Sequence, residues 1–230
     1  MTRILVVEDE PRLLRGLRVN LEARDYQVDA VPDGTSALAS AAARTPDIAI
    51  VDLGLPDIDG VEVILGLRNW GSMAIIVLSA RGGESDKIAA LDAGADDFVT
   101  KPFGMGELLA RIRASERRTA INVDAGQIVE TEDFDVDLAA KRIVRDDTVV
   151  HLTPTEWHLV EILVSNPGKL ITQHQLLHEV WGPRYEHETN YLRVYMAQIR
   201  RKLEPQPAKP RYFITEPGMG YRFELPSRQN

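Results

Sequence analysis

The sequence predicts an α/β chain: a doubly wound, five-stranded parallel sheet over the first half, then a smaller α+β unit. Three observations predict it. Short apolar runs alternate five times with segments of helical periodicity. The runs Ile4 to Val7, Ile48 to Val51 and Ala74 to Leu78 are unbroken, as strands covered on both faces are. Near residue 118 the texture changes, and the second half of the chain reads as short strands, three helix starts and a hairpin.

In order, Ile4 to Val7 opens the sheet. Pro11 to Arg24 carries Leu14, Leu17 and Leu21 at helical spacing, with proline suited to the first turn. Gln27 to Val31 is a strand, and Asp33-Gly34 starts a helix running to Ala43. After the Ile48 to Val51 strand come an acidic loop and a helix over Val61 to Arg68, then the strand ending at Ser79. Ser85 to Ala93 is a short helix stopped at Gly94, Phe98 and Val99 belong to the last strand, and Met105 to Arg117 is the last helix.

Asp52 is placed by this reading as the first residue beyond a central strand. Ligands of open parallel sheets bind just past the carboxyl ends of the strands. Glu8 and Asp9, Ser79, and Lys101-Pro102 fall at the same relative place on their own strands, so acids, a hydroxyl and a lysine gather at one sheet edge. Carboxylates so crowded raise one another's pKa unless a cation joins them. A hard divalent ion such as Mg2+, taking oxygen ligands, suits them. A flavin-binding domain of similar topology would need a Ser- and Gly-rich phosphate cradle after the first strand, where Glu8-Asp9-Glu10 would repel phosphate. Asp57 and Asp59 read as turn acids.

Glu8-Asp9, Asp52, Ser79 and Lys101-Pro102, in that order, resemble the receiver domain of two-component response regulators, a flavodoxin-like fold. The resemblance implies that Asp52 accepts a phosphoryl group from a phosphohistidine on a partner histidine kinase. It implies that Asp9 and Asp52 hold Mg2+ with the Gly54 carbonyl, helped by Glu8 through water, that Lys101 pairs with the acyl phosphate, and that Ser79 turns its hydroxyl onto it. Phosphoryl transfer needs mainly in-line positioning and charge neutralisation, which such a set supplies.

Bulk composition agrees. A chain of 230 residues suits two ordinary domains. With 44% hydrophobic and 27% charged residues it reads as a soluble globular protein. The absence of cysteine excludes disulfides, thiolate metal sites and cysteine nucleophiles. The N-terminal apolar run is too short for a signal peptide or a membrane span, so no membrane partner and a cytoplasmic location are expected. The formal charge of -8 is unevenly spread: residues 1–120 hold 14 Lys and Arg against 19 Asp and Glu, 121–187 hold 5 against 12, and 188–230 hold 8 against 4. A polyanion is therefore expected at the C-terminal end.

Around residues 118–127 periodicity lapses, and the linker is placed at 119–126, between a domain over 1–118 and another over 127–228. Phe134 to Leu138, Arg142 to Arg145 and Thr148 to Leu152 are strand candidates, with Asp146-Asp147 a tight turn. Thr153-Pro-Thr-Glu156 and Thr172-Gln-His-Gln175 are capping boxes opening two helices that end at Asn166-Pro-Gly168 and Trp181-Gly-Pro183. A third helix runs from Thr189 to Leu203, with Leu192, Met196, Ile199 and Leu203 on one side and Asn190, Arg193, Ala197 and Arg200 on another. Arg211 to Thr215 and Tyr221 to Leu225 make a hairpin about Pro217-Gly-Met-Gly220. His174 and His178 stand at i, i+4 without an evident third metal ligand.

Helix, helix, basic helix, hairpin is the order of a winged helix-turn-helix. With Trp181-Gly182 and Gly220-Tyr-Arg-Phe223, the second half resembles the output domain of the OmpR/PhoB family. Residues 84–92, 191–196 and 213–216 are similar to the members of that family that regulate high-affinity potassium uptake. The resemblance implies binding of double-stranded promoter DNA through Asn190, Arg193, Arg200, Arg201, Lys202, Thr215 and Arg222, with contact to RNA polymerase through the 182–188 loop. It also implies a phosphorylation-driven homodimer pairing Lys87 with Glu107, Asp97 with Arg111 and Asp96 with Arg118 around Ile88, Leu91 and Leu109, signalled through Ser79 and Phe98. Two departures stand out. Phe98 replaces the commoner tyrosine, so packing alone reports its position; Pro217 stands where relatives carry an arginine, so Arg222 or Arg211 is expected on the DNA backbone instead.

Overall fold

The computed structural model describes residues 1–71, 73–80, 83–120, 128–185 and 188–225, without the side chains of 117–120 and 184. The chain forms two compact units, Met1–Ser115 and Glu116–Asn230. Most of the expected linker, and residues 127 and 226–228 of the second expected domain, lie outside the described residues.

The first unit alternates β1 (Arg3–Val7), α1 (Pro11–Glu22), β2 (Gln27–Val31), α2 (Gly34–Ala43), β3 (Ile48–Asp52), α3 (Gly60–Arg68), β4 (Ala74–Ser79), α4 (Glu84–Asp92), β5 (Asp97–Thr100) and α5 (Met105–Ala120). The five strands are parallel in the order β2-β1-β3-β4-β5, so the chain winds outward both ways from β1 and β3. Strand alternation divides the core between two faces. Ile4, Val6, Ile50, Ile76 and Leu78 meet Leu17 and Leu21 of α1 and Leu108 and Ile112 of α5. Asp33 caps α2 by accepting from Ser36 N, and Asp59 caps α3 by accepting from Val61 N. The expected doubly wound sheet is present. Asp52 is the last residue of β3 rather than the first beyond it, because its backbone still pairs with Leu78.

The second unit opens with a four-stranded antiparallel sheet, β6 (Ile128–Glu130), β7 (Asp135–Asp137), β8 (Arg142–Arg145) and β9 (Thr148–Val150). Helices α6 (Pro154–Val164) and α7 (Gln173–Trp181) follow, both with capping boxes. Strand β10 (Leu170–Thr172) lies between them, and after a 3-10 turn over Pro183–Tyr185 comes α8 (Thr189–Leu203). The hairpin of β11 (Phe213–Glu216) and β12 (Gly220–Phe223) pairs with β10 in the order β10-β12-β11. A Cβ on Gly220 would lie 2.1 Å from the Ile171 carbonyl oxygen, so β10 reaches β12 only because that residue is glycine. Phe134, Tyr212, Phe213 and Phe223 form one aromatic cluster, with the Phe134 and Tyr212 ring centroids 4.9 Å apart. This is the winged-helix order expected from the sequence.

Candidate functional site

Because β1, β3, β4 and β5 are parallel neighbours, their carboxyl ends deliver Glu8, Asp9, Asp52, Ser79 and Lys101 to one edge. Glu8, Asp52 and Ser79 are buried, whereas Asp9 is exposed. Lys101 Nζ donates to Glu8 Oε2 at 2.6 Å and to Asp52 Oδ2 at 2.8 Å, joining strand ends that are far apart in sequence. Gly54 N donates to Asp52 Oδ1 at 3.2 Å, and Lys101 N donates to the Ser79 carbonyl at 2.7 Å.

One oxygen from each of Glu8, Asp9 and Asp52 lies within 4.8 Å of the others. Three carboxylates face one ammonium, so the pocket keeps negative charge. Burial pushes the Glu8 carboxyl up from its usual pKa and the Asp52 charge adds to this, against the opposing Lys101. Burial draws the Lys101 ammonium down, but its hydrogen bonds to Asp52 and Glu8 outweigh that and hold it above its usual value. Hard, convergent, all-oxygen donors with unbalanced negative charge fit a divalent ion of the Mg2+ type.

On the α4–β5–α5 face the structure redistributes several expected dimer residues. Asp96 has no exposure: its Oδ2 accepts from Arg68 Nη2 at 2.6 Å and from Ile75 N at 2.9 Å. Here Asp96 is bound within its own chain rather than facing outward. The Arg118 side chain lies outside the described residues. Arg111 reaches Asp97 at 2.9 Å and Glu107 at 2.6 Å within one chain. Leu91 and Leu109 are buried, not part of an exposed patch, which leaves Ile88 half-buried. Phe98 is buried, with Lys87 Nζ 5.9 Å from its ring centroid.

In the second unit the α8 wheel places the core side correctly but too narrowly, because Tyr191, Tyr195 and Gln198 are buried as well. Asn190, Arg193 and Arg201 are exposed, and Arg193 Nη1 lies 3.4 Å from Asn190 Oδ1. Three expected DNA-contacting cations are instead held within the unit. Arg200 donates through Nε to the Phe213 carbonyl at 2.9 Å and through Nη2 to Thr215 Oγ1 at 2.7 Å, tying α8 to β11. Lys202 Nζ lies 2.6 Å from Glu156 Oε2 in the α6 capping box. Arg222 pairs with Glu216 at 3.0 Å, and Arg211, the other candidate for the DNA backbone, pairs with Glu132 at 2.7 Å. Arg200, Lys202 and Arg222, expected on DNA, thus each have an acceptor within their own unit. Sequence spacing gave each residue's face but not the strand that folds over it. His174 and His178 stack with centroids 6.3 Å apart. The 182–188 loop is only partly described. No helix among the described residues is long and apolar enough to cross a membrane.

A phosphoacceptor-type acidic edge in one unit and a winged helix in the next define a class, and comparison with known proteins agrees. Residues 4–113 match the family described as response regulator receiver domain, and residues 147–223 match transcriptional regulatory protein, C terminal. The chain belongs to the OmpR/PhoB type of two-component response regulators and is a DNA-binding regulator of transcription. It is 56% identical over 225 residues to transcriptional regulatory protein KdpE of Mycobacterium tuberculosis, covering 97% of this chain and 100% of that one. It is 52% identical to the KDP operon transcriptional regulatory protein KdpE of Escherichia coli, covering 98% and 100%. Among solved structures, a RitR mutant superposes with a TM-score of 0.78 at 27% identity, covering 97% of this chain and 99% of that one.

Proposed function

We propose that the chain is a regulator of a kdp-type operon for high-affinity potassium transport, switched by phosphorylation of Asp52. The observation that carries the switch is the Lys101 ammonium held between Glu8 and Asp52, whose carboxylates converge with that of Asp9. The near full-length similarity to KdpE proteins supports the operon. In this reading residues 1–118 are the receiver, 119–126 the linker and 127–228 the DNA-binding domain, in a cytoplasmic protein.

An Asp52 carboxylate oxygen attacks the phosphorus of a phosphohistidine on the partner kinase; the new O–P bond forms as the N–P bond breaks, and the imidazole leaves. Asp9, Asp52 and the Gly54 carbonyl would hold Mg2+, with Glu8 acting through water. When bound, the ion supplies the charge neutralisation that the crowded phosphoryl oxygens require. Lys101 turns from the carboxylates to the acyl phosphate, and Ser79 donates its hydroxyl to it. Phe98 then repacks with Ser79, and the α4–β5–α5 face pairs two chains through Lys87, Glu107, Asp97 and Arg111 about Ile88. The dimer binds promoter DNA with Asn190, Arg193, Arg201 and Thr215 toward the duplex, while the 182–188 loop meets RNA polymerase.

With a small acyl phosphate donor and Mg2+, intact mass spectrometry should show one added phosphoryl group, and none on Asp52→Asn. Sequencing of genomic fragments retained by the phosphorylated protein should return the promoter of a potassium transport operon. Undiminished labelling of Asp52→Asn, or retained fragments without that promoter, would refute the respective half.

A further inference from the structure

The loop between β3 and α3, residues 53–59, carries Gly54 and is fastened to a distant helix. Asp57 accepts hydrogen bonds from Gly34 N at 2.9 Å, Thr35 N at 2.8 Å and Thr35 Oγ1 at 2.7 Å. These amides belong to the first turn of α2, where backbone donors have no partner within the helix. The same helix has its own local cap, Asp33, whose Oδ1 accepts from Ser36 N at 2.7 Å. One helix end is thus capped twice, by its own sequence and by a carboxylate more than twenty residues on. Apolar contact reinforces the junction: a Cβ on Gly34 would lie 2.4 Å from Ile58 Cγ1 and 2.7 Å from Val63 Cγ2, so only glycine lets the loop seat this closely. The Thr35 hydroxyl, with the Gly34 and Thr35 amides, holds the Asp57 carboxyl well below the usual carboxylate range. Asp57 is exposed and would otherwise be an ordinary turn acid.

We propose that Asp57 is a positioning residue for the phosphoacceptor site, clamping the β3–α3 loop to the N-terminus of α2 so that the Gly54 carbonyl is held ready for a divalent cation. The inference rests on the reading of Asp9, Asp52 and Gly54 as the cation site. A carbonyl on a loosely held loop must be ordered at the moment of binding, and that ordering subtracts from affinity; a clamp made during folding removes the cost. Gly54 lies only three residues before Asp57, so the clamp acts on the short segment that begins at Asp52. Its weight falls on cation affinity rather than on the transfer step.

The test uses the full chain and compares Asp57→Ala with Asp33→Ala, which removes a cap from the same helix end without touching the loop. Thr35→Val serves as a milder variant should Asp57→Ala fold poorly. Amide exchange over residues 53–60 without Mg2+, Mg2+ affinity by calorimetry, and labelling by an acyl phosphate donor at saturating Mg2+ are measured in each. Asp57→Ala should speed exchange in the loop and weaken Mg2+ binding by about 10-fold, the low end of what outer-shell partners contribute. Saturating Mg2+ should bring its labelling rate to within about twofold of wild type, as expected when ground and transition states lose binding alike. Asp33→Ala should leave Mg2+ affinity unchanged, and Thr35→Val should fall between. Equal loss of affinity in Asp33→Ala and Asp57→Ala, or unchanged affinity in Asp57→Ala, overturns the clamp while the cation site stands. A wild-type chain that binds no Mg2+ overturns the cation site and the clamp together.

Discussion

Removing the Arg200 guanidinium should damage the wing before it damages base reading. Its Nε and Nη2 donate to the buried Phe213 carbonyl and to Thr215 Oγ1, so Arg200→Ala leaves one buried acceptor without its donor; Thr215 is exposed and regains water. An unsatisfied buried acceptor costs about 1–3 kcal/mol. With a urea slope of about 2 kcal/mol/M for a small unit, the unfolding midpoint should fall by about 0.5–1.5 M. Trp157 and Trp181 lie in the second unit, and the third tryptophan, Trp70, lies in the first. Fluorescence in a Trp70→Phe background therefore follows the second unit alone. On DNA, Arg200→Ala should lose affinity by a similar factor on specific and random sequence, with an unchanged salt slope, because no phosphate contact is removed. Arg193→Ala is the contrast: exposed on the same helix, it should cost about 1–3 kcal/mol on a specific site and less on random DNA. If Arg200→Ala leaves the midpoint unmoved and loses affinity only for the specific site, Arg200 reads bases and the structural account of it is wrong.

Glu161→Gln should stabilise the second unit at pH 8, by about 1 kcal/mol or more. The Glu161 carboxylate is buried, neither oxygen has a hydrogen-bond partner among the described residues, and burial raises its pKa above 4.5 despite Lys141. A raised pKa means that its stability contribution is full below 4.5 and is lost as pH rises through the folded value, so the gain should vanish near pH 4. His158 Nδ1, 3.8 Å from Glu161 Oε2, is a further titratable group beside it, and a gain that grows toward low pH would refute this sign. Arg111→Glu should weaken the phosphorylated dimer in sedimentation and also destabilise the receiver by about 3–5 kcal/mol, since Asp97 would lose its cation while buried. Adding Asp97→Arg should restore part of both, and recovery of neither would refute the pairing.

The receiver was legible because its strands are buried on both faces and write themselves as apolar runs, while the residue closing each run falls at the same sheet edge. Glu8, Asp52, Ser79 and Lys101 needed only that rule to be brought together. The short strands β6 and β10 were missed. Three residues are too few for alternation to register, and β10 exists through its pairing with β12, a long-range event allowed by Gly220. Asp57 was missed for a related reason. Its sequence neighbourhood reads as a turn, and nothing within six residues announces that its partners are the amides of α2.

The same limit governs the charge argument for DNA binding. Residues 188–230 carry an excess of cations, yet Arg200, Lys202, Arg211 and Arg222 each commit their donors to carbonyls or carboxylates of the second unit. The net charge of a segment therefore overstates what it offers a polyanion, because a cation bound to a buried or neighbouring acid must be released before it can neutralise a phosphate. Arg193, exposed on α8, is therefore expected to weigh more in DNA binding than a count of lysines and arginines suggests. The held cations do a different job: Arg200 and Lys202 tie α8 to β11 and to the α6 cap, while Arg222 and Arg211 pair with Glu216 and Glu132.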